Sequence, residues 1–165
     1  MRKIRFLSFC LILLFAGSSQ ILFAQSKKEK AEKKAAAVKE IVESRHFTIT
    51  VNRALPMSGP SINLTTPYSV RISGDSIYSS LPYYGEAYSI PYGGGDGLMF
   101  SRTVSNYKCT FNKKSNARVN FKTVNGEESF LYQLNIYSNG SASVAVIPMN
   151  RQTISYQGEL EMIYK

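Results

Sequence analysis

Short stretches of alternating apolar and polar residues, separated by tight turns, dominate the sequence after position 45. In residues 46–53 the side chains of Phe47, Ile49 and Val51 fall on one face, which is the pattern of a half-buried strand. The connections between such stretches are too short for the crossovers that parallel strands need. The pattern therefore predicts a mainly β protein with an antiparallel sheet of about eight strands.

The pattern allows a closed or half-open barrel as well as a two-layer sandwich. We favour a barrel-like sheet with one N-terminal helix packed across an open side or end. Gly74-Asp75 predicts a two-residue turn, and Asn139-Gly140 predicts a type I′ turn. Gly158 predicts a bulge or bend in the last strand, and residues 54–67 are expected to form a loop. The expected strands cover residues 46–53, 68–73, 76–81, 106–112, 117–124, 129–137, 141–147 and 153–164.

The N-terminus has the form of a secretory signal peptide. Three basic residues precede an apolar run from Phe6 to Phe15, and a small residue, Ala24, ends the segment. We expect cleavage after residue 24 and export to the periplasm or beyond the cell. The apolar run is shorter than the roughly 20 residues of a membrane span, so an uncleaved anchor is the less favoured alternative.

Residues 25–45 are predicted to form a helix that precedes a β domain at residues 46–165. They contain strong helix formers and no Gly or Pro. An apolar stripe develops only late, through Val38, Ile41 and Val42. We therefore expect solvated first turns and a second half that docks on the sheet.

Charge and composition exclude several classes of protein. The chain carries +9, of which Arg2, Lys3 and Arg5 leave with the signal peptide, so the mature chain carries 9 − 3 = +6. About half of that lies in the helix, and nucleic-acid binding is not expected without a dense basic face. Cys109 would be the single thiol of the mature chain, and its place between Tyr107 and Phe111 predicts a buried, unreactive side chain.

The sequence offers no catalytic constellation, no metal-binding cluster and no cofactor motif. His46 is the single histidine and stands where the helix meets the first strand, where a surface or capping role is expected. The β domain has seven acidic residues, nearly all in predicted turns or on polar strand faces, and most of them are expected to be solvated. These acids are Asp75, Glu86, Asp96, Glu127, Glu128, Glu159 and Glu161.

The segment from Leu81 to Gly97 is the one that does not fit a strand. Its tyrosines are Tyr83, Tyr84, Tyr88 and Tyr92, set among prolines and glycines. They could line the rim of a binding pocket or cap one end of the barrel as structural packing. One of the adjacent pair should point inward and the other outward. Of Tyr88 and Tyr92, near an open end of the sheet, at least one should be exposed.

Five phrases carry a resemblance to a known family. They begin at Pro56, Tyr68, Leu81, Tyr137 and Asn150, and the third reads Leu-Pro-Tyr-Tyr-Gly-Glu-Ala-Tyr-Ser-Ile-Pro-Tyr-Gly-Gly. Together they resemble the exported domain-of-unknown-function family numbered 4251, common in Bacteroidota. The resemblance implies an exported, mostly β protein with a preceding helix. The family has no assigned activity, so the resemblance identifies no catalytic or binding residues and no cofactor.

The sequence is consistent with two functional hypotheses. The first is a non-enzymatic binding module that holds a small apolar or amphipathic ligand inside its barrel, with the four tyrosines at the entrance. The alternative is a structural or protein–protein interaction domain of the cell envelope. An interior filled by Phe and Tyr side chains would argue against the first, and an exposed apolar patch would favour the second.

Overall fold

A computed structural model describes residues 27–88 and 97–162 of the chain. The chain divides into two compact units, residues 1–34 and residues 35–165. The predicted signal peptide and Tyr92 lie outside the described residues. In the part that is described, no helix is long and apolar enough to cross a membrane.

The predicted N-terminal helix is present as α1, residues 27–43. Its first turns, within the first unit, expose their side chains and carry ion pairs one turn apart, Lys28–Glu32 and Glu29–Lys33. In the second unit, the side chains of Val38 and Val42 are fully buried in the hydrophobic core. The late apolar stripe in the sequence is thus the face of the helix that packs.

In the described residues nine strands follow α1, and each pairs with its neighbours in the sheet in antiparallel fashion. They are β1 (His46–Pro56), β2 (Ile62–Ser73), β3 (Ser76–Leu81), β4 (Leu98–Thr103), β5 (Ser105–Phe111), β6 (Ala117–Asn125), β7 (Glu128–Ile136), β8 (Ser141–Pro148) and β9 (Ile154–Leu160). Their order in the sheet is β4-β3-β2-β1-β9-β8-β7-β6-β5. The mainly β, barrel-like prediction is confirmed.

The sheet curls, and its two edge strands are consecutive in the chain. β4 is the first strand in the order and β5 the last, yet only Val104 separates them. The hydroxyl of Thr123 on β6 donates to the carbonyl oxygen of Thr103 on β4 over 3.0 Å, and that of Ser105 donates to Lys122 over 3.2 Å. β4 and β5 therefore act as one bent strand that nearly closes a barrel.

The second half of α1 covers the place where β5 diverges from the rest of the barrel. Val42 lines one groove with Tyr107, Cys109 and Phe111 of β5, and the Lys39 ammonium stands 5.7 Å from the Phe111 ring centre. On the other side, Ile41 lines a groove with Phe47 of β1 and Ile72 of β2. The helix thus bridges strands that share no hydrogen bonds, as expected for a helix across an open side.

Large side chains fill the interior of the barrel. Phe121 and Tyr132 stack with ring centres 5.1 Å apart, and Tyr107 stacks on the other face of Phe121 at 6.3 Å. The Tyr132 and Ser79 hydroxyls meet at 3.0 Å across the interior. Tyr156 is fully buried and its hydroxyl donates to the Pro82 carbonyl oxygen over 2.7 Å.

Two strand predictions were wrong. β4 was missed, because its consecutive apolar residues Leu98, Met99 and Phe100 hide the alternation. The expected loop at residues 54–67 is confined to residues 57–61, since β1 runs to Pro56 and β2 begins at Ile62. Pro67 lies where the β1–β2 register jumps from Tyr68 to Asn63, so its missing N–H costs no ladder hydrogen bond.

The turn at Asn139-Gly140 is present, but the predicted type I′ geometry was wrong. That type needs positive φ at two central residues, and of this pair Gly140 alone has it, at 86°. The Gly140 amide donates to the carbonyl oxygen of Tyr137, and the Tyr137 amide donates to that of Ser141. This is a three-residue loop in which Gly140 forms a bulge.

Gly158 marks an irregularity in the sheet, as predicted, although the extra residue belongs to β1. Val51 pairs with Gly158 and Arg53 with Gln157, so Asn52 is the inserted residue. A Cβ on Gly158 would collide with the carbonyl oxygen of Thr50 and stand 2.8 Å from the Cα of Val51. Only glycine admits this close approach of two backbones.

Replacing Gly158 by alanine is expected to lower the free energy of unfolding by about 1–3 kcal/mol, the usual cost of overpacking a well-packed site. Chemical denaturation of the purified protein measures it. The control is Gln157→Ala at the exposed neighbouring position, which should stay within about 0.5 kcal/mol. Equal stability of the two variants would contradict the close approach.

Deleting residues 25–34 is expected to change the free energy of unfolding by no more than about 0.5 kcal/mol, because the described side chains of this stretch are exposed. Deleting residues 25–43 should be far more costly, since it also removes the buried Val38 and Val42. Thermal and chemical unfolding of both truncated proteins makes the comparison. Similar losses of stability in both truncated proteins would contradict the division of the helix into an exposed first part and a buried second part.

Candidate functional site

The described part of the tyrosine segment, residues 81–88, begins at one end of the barrel, where β3 ends at Leu81. The loop between β1 and β2, the turn between β6 and β7 and the loop between β8 and β9 lie at the same end, because the strands run up and down in turn. We call this the tyrosine end. The opposite end carries the β2–β3, β5–β6 and β7–β8 turns.

The adjacent tyrosines point in different directions, as predicted. Tyr83 packs against the core, and its hydroxyl donates to the carbonyl oxygen of Gln152 over 2.8 Å and to that of Glu86 over 3.2 Å. Tyr84 is 38% exposed and Tyr88 is 71% exposed. The prediction of at least one exposed tyrosine farther along the segment is thus met by Tyr88.

The segment is pinned to the β8–β9 loop by a short antiparallel bridge between Ala87 and Arg151. The Tyr88 amide donates to the carbonyl oxygen of Asn150 over 2.9 Å, and the Gln152 amide donates to that of Glu86 over 3.0 Å. The side chains of Gln152 and Glu86 also hydrogen-bond over 3.0 Å. This part of the expected irregular lid is therefore hydrogen-bonded in place.

A buried ion pair supports the bridge from beneath. The Arg151 Nε donates to both carboxylate oxygens of Glu128, over 2.9 and 3.0 Å, and Nη2 lies 2.8 Å from Oε2. Glu128 is only 3% exposed. The guanidinium also stands 5.5 Å from the ring centre of Tyr83. A bidentate, charge-assisted pair of this kind fixes the orientation of both side chains.

Glu128 corrects the expectation that the turn acids are solvated. It begins β7, where Phe130, Tyr132 and Leu134 point inward at every second position. Continuing that alternation backwards by one step places the side chain of residue 128 inside. The signal was present in the sequence, but its partner Arg151 could not be inferred because it depends on the fold.

Exposed apolar side chains gather at the tyrosine end. In the described part of the chain, eight large apolar residues are exposed, and six of them lie at this end. The six are Met57, Tyr84, Tyr88, Met99, Val124 and Met149. Ser129 links two of them, because it pairs with Val124 and its hydroxyl stands 4.0 Å from the Met149 sulfur. We call these six residues the apolar rim.

Within residues 27–88 and 97–162, the single histidine and the single thiol lie apart from the tyrosine end. His46 is exposed, and its Nδ1 lies 2.7 Å from the carbonyl oxygen of Ser44, to which it donates. Cys109 is a free, half-buried thiol, less buried than predicted, and its burial raises its pKa. Among the described residues, no three His, Cys, Asp or Glu side chains gather as metal ligands.

The buried phenols are also held in their protonated form. Burial raises the pKa of Tyr83, Tyr132 and Tyr156, and it raises that of Tyr107 to about 12. A protonated phenol donates a hydrogen bond, as Tyr83 and Tyr156 do to backbone carbonyl groups. These hydroxyls therefore serve the fold at neutral pH.

Replacing Arg151 by alanine is expected to lower the free energy of unfolding by about 3–5 kcal/mol, because it leaves the Glu128 carboxylate buried without its partner. The control is Asp75→Ala, which breaks the exposed pair with Arg45 and should cost about 0–1 kcal/mol. Denaturant unfolding measures both. A small loss for Arg151→Ala would show that the pair does not hold the tyrosine end together.

Comparisons with known proteins place the chain in a family. Among proteins with curated descriptions, none matches the chain. A DUF4251 protein from Bacteroides eggerthii DSM 20697, known from a crystal structure, is 19% identical, with a TM-score of 0.59 over 77% of this chain and 86% of that one. This likeness concerns the fold. The family model for DUF4251, a domain of unknown function, matches residues 29–160, and the chain belongs to that family.

Proposed function

We propose that this protein is an exported, non-enzymatic binding domain of the cell envelope, which binds a protein partner through the apolar rim at its tyrosine end. The N-terminal sequence supports export, since a basic start and a short apolar run are typical of a signal peptide. The concentration of exposed Tyr and Met side chains at one end is the observation that carries the rest of the proposal.

The packing of the interior argues against the other hypothesis, a small apolar ligand held inside the barrel. Tyr132, Tyr156 and Phe121 occupy the space between the walls and are almost completely buried. They are also tied to one another and to the walls by ring stacking and hydrogen bonds. A ligand in the interior would have to displace these side chains, so the outer surface is the better candidate.

The composition of the rim favours a protein partner. Tyrosine and methionine are enriched at protein interfaces, where tyrosine gives a large contact area with few torsions to fix and methionine adapts its shape. Tyr88 and Met149 are both more than 70% exposed, and hydrogen bonds to neighbouring backbone groups hold each of them. Burying such side chains against a partner gains apolar contact, and the backbone loses little conformational entropy because it is already held in place.

The support beneath the rim favours binding by a rigid surface. The Glu128–Arg151 pair, the ring of Tyr83 and the bridge between Ala87 and Arg151 fix the position of the segment before any partner arrives. A preorganised surface loses less conformational entropy on binding.

Photo-crosslinking in the native host tests this proposal. A benzophenone-bearing phenylalanine in place of Tyr88 is expected to give a discrete adduct with one envelope protein, which mass spectrometry identifies. The same group in place of Tyr78, which is exposed near the opposite end and lies outside the apolar rim, is the matched control and should give none. With the partner purified, the double change Tyr88→Ala and Met149→Ala should weaken Kd by about tenfold or more.

The stability of the variants completes the experiment. Both substitutions concern exposed side chains, so the double variant should unfold within about 1 kcal/mol of the parent protein. Adducts of equal yield from both ends would contradict the proposal. So would adducts formed only between copies of this chain, or the absence of any adduct at position 88.

A further inference from the structure

A polar groove of about 370 Å³ lies at the opposite end of the barrel, between the β5–β6 and β7–β8 turns. Its polar lining comes from Thr110, Asn112, Asn116, Arg118, Asn135 and Tyr137. The ring of Phe111 adds an apolar patch. The groove has no part in the proposed contact through the tyrosine end.

The three asparagines of the groove have their oxygen atoms engaged by the protein. Asn112 Oδ1 accepts hydrogen bonds from the amides of Lys114 and Asn116, over 2.9 and 3.0 Å. Asn116 Oδ1 accepts one from the amide of Ser138 over 3.0 Å. Because backbone amides only donate, these contacts fix which end of each side-chain amide is the oxygen.

The third asparagine follows the same rule. Asn135 Oδ1 accepts a hydrogen bond from Arg118 Nε over 3.2 Å. The Nδ2 groups of all three amides then remain as donors, and none of them donates to a described residue. The two terminal nitrogens of the Arg118 guanidinium are likewise without an acceptor among the described residues. Several donors on the residues that line the groove are therefore without an acceptor among the described residues.

Basic residues predominate in the lining of the groove and in the turn beside it. The lining includes no Asp or Glu, and Lys113 and Lys114 stand in the adjoining turn with exposed side chains. Residues 97–126 contain six basic residues and no acidic one. Within the described part of the chain, none of these six takes part in an ion pair. Free donors beside basic side chains favour the binding of an oxyanion.

From this geometry we infer that the groove binds the phosphate group of a small polar molecule, and we name it the oxyanion groove. A phosphate monoester brings three terminal oxygens, enough to accept from Arg118 and the three amides together. The volume exceeds that of phosphate alone and lies within the range of small-ligand pockets. The rings of Tyr137 and Phe111 would border the organic part of the ligand.

Nuclear magnetic resonance titration of the mature protein tests the inference. The probes are inorganic phosphate, glucose 6-phosphate and glucose, each added up to about 10 mM, with saturation by glucose 6-phosphate expected in the millimolar range or below. Glucose 6-phosphate should shift the backbone amides of residues 110–118 and 135–140, and glucose should not. A flotation assay with phosphatidylglycerol vesicles shows whether the protein binds the phosphate group of a lipid headgroup.

Matched variants separate the groove from general attraction to a basic surface. Arg118→Gln should weaken binding of glucose 6-phosphate by about tenfold or more, since it removes a charged donor. Lys122→Gln removes the same charge from the same outer face of β6 but outside the groove, and should leave Kd within about twofold. Asn135→Asp should also weaken binding strongly, whereas Gln133→Glu, two positions away on β7, is its control.

The inference is overturned if no amide of the groove shifts, or if Lys122→Gln and Arg118→Gln weaken binding equally. Equal shifts with glucose and its phosphate would also overturn it, because the phosphate would then be irrelevant. Arg118 and Gln133 are exposed, so these variants should melt close to the parent protein. If Arg118→Gln fails to fold, the comparison of Asn135→Asp with Gln133→Glu decides the outcome by itself. Neither result depends on the partner proposed for the tyrosine end.

Discussion

The corner at Val104 is the constraint on which the rest of the architecture depends. The sheet is a meander whose two outermost strands, β4 and β5, are consecutive in the chain. The amide of Val104 donates to the carbonyl oxygen of Asp75 over 2.8 Å, which fixes the corner beside the β2–β3 turn. Because the edges are joined covalently, the sheet must curl into a barrel, and the size of its interior is set at the same time.

The other features of the core follow from that curvature. An interior of this size is filled by stacked rings, with Tyr107, Phe121 and Tyr132 forming one continuous stack. Beyond the corner, β5 pairs with β6 alone, so the inner sides of Tyr107 and Phe111 need a cover. The second half of α1 provides it through Val38 and Val42. Exposed strand edges are hazards for aggregation, and a covering helix is a common solution.

The alternation of apolar residues was sufficient to predict an antiparallel sheet and most of its strands, but it left a barrel and a sandwich open. The helix followed from its strong helix formers and its late apolar stripe. The alternation was insufficient at β4, where Met99 interrupts the pattern, and at the start of β2, where Pro67 resembles a loop residue. Simple strand geometry predicted that one of Tyr83 and Tyr84 points inward and the other outward, but not which of them does so. The Glu128–Arg151 pair and the oxyanion groove did not follow, because their members are brought together only by the register of β5 to β8.

The pairing of β1 with β9 has a consequence for the order in which the chain can fold. Every other pair of neighbouring strands is close in sequence, whereas Val51 and Gly158 are 158 − 51 = 107 positions apart. Hairpins such as β2–β3 and β6–β7 can form before the rest of the chain is available. The pairing of β1 with β9 can form only once the last strand is present. Closing so long a loop carries an entropic cost that slows folding. A chain that reaches its compartment in an extended state would thus keep its barrel open until its final strand has arrived.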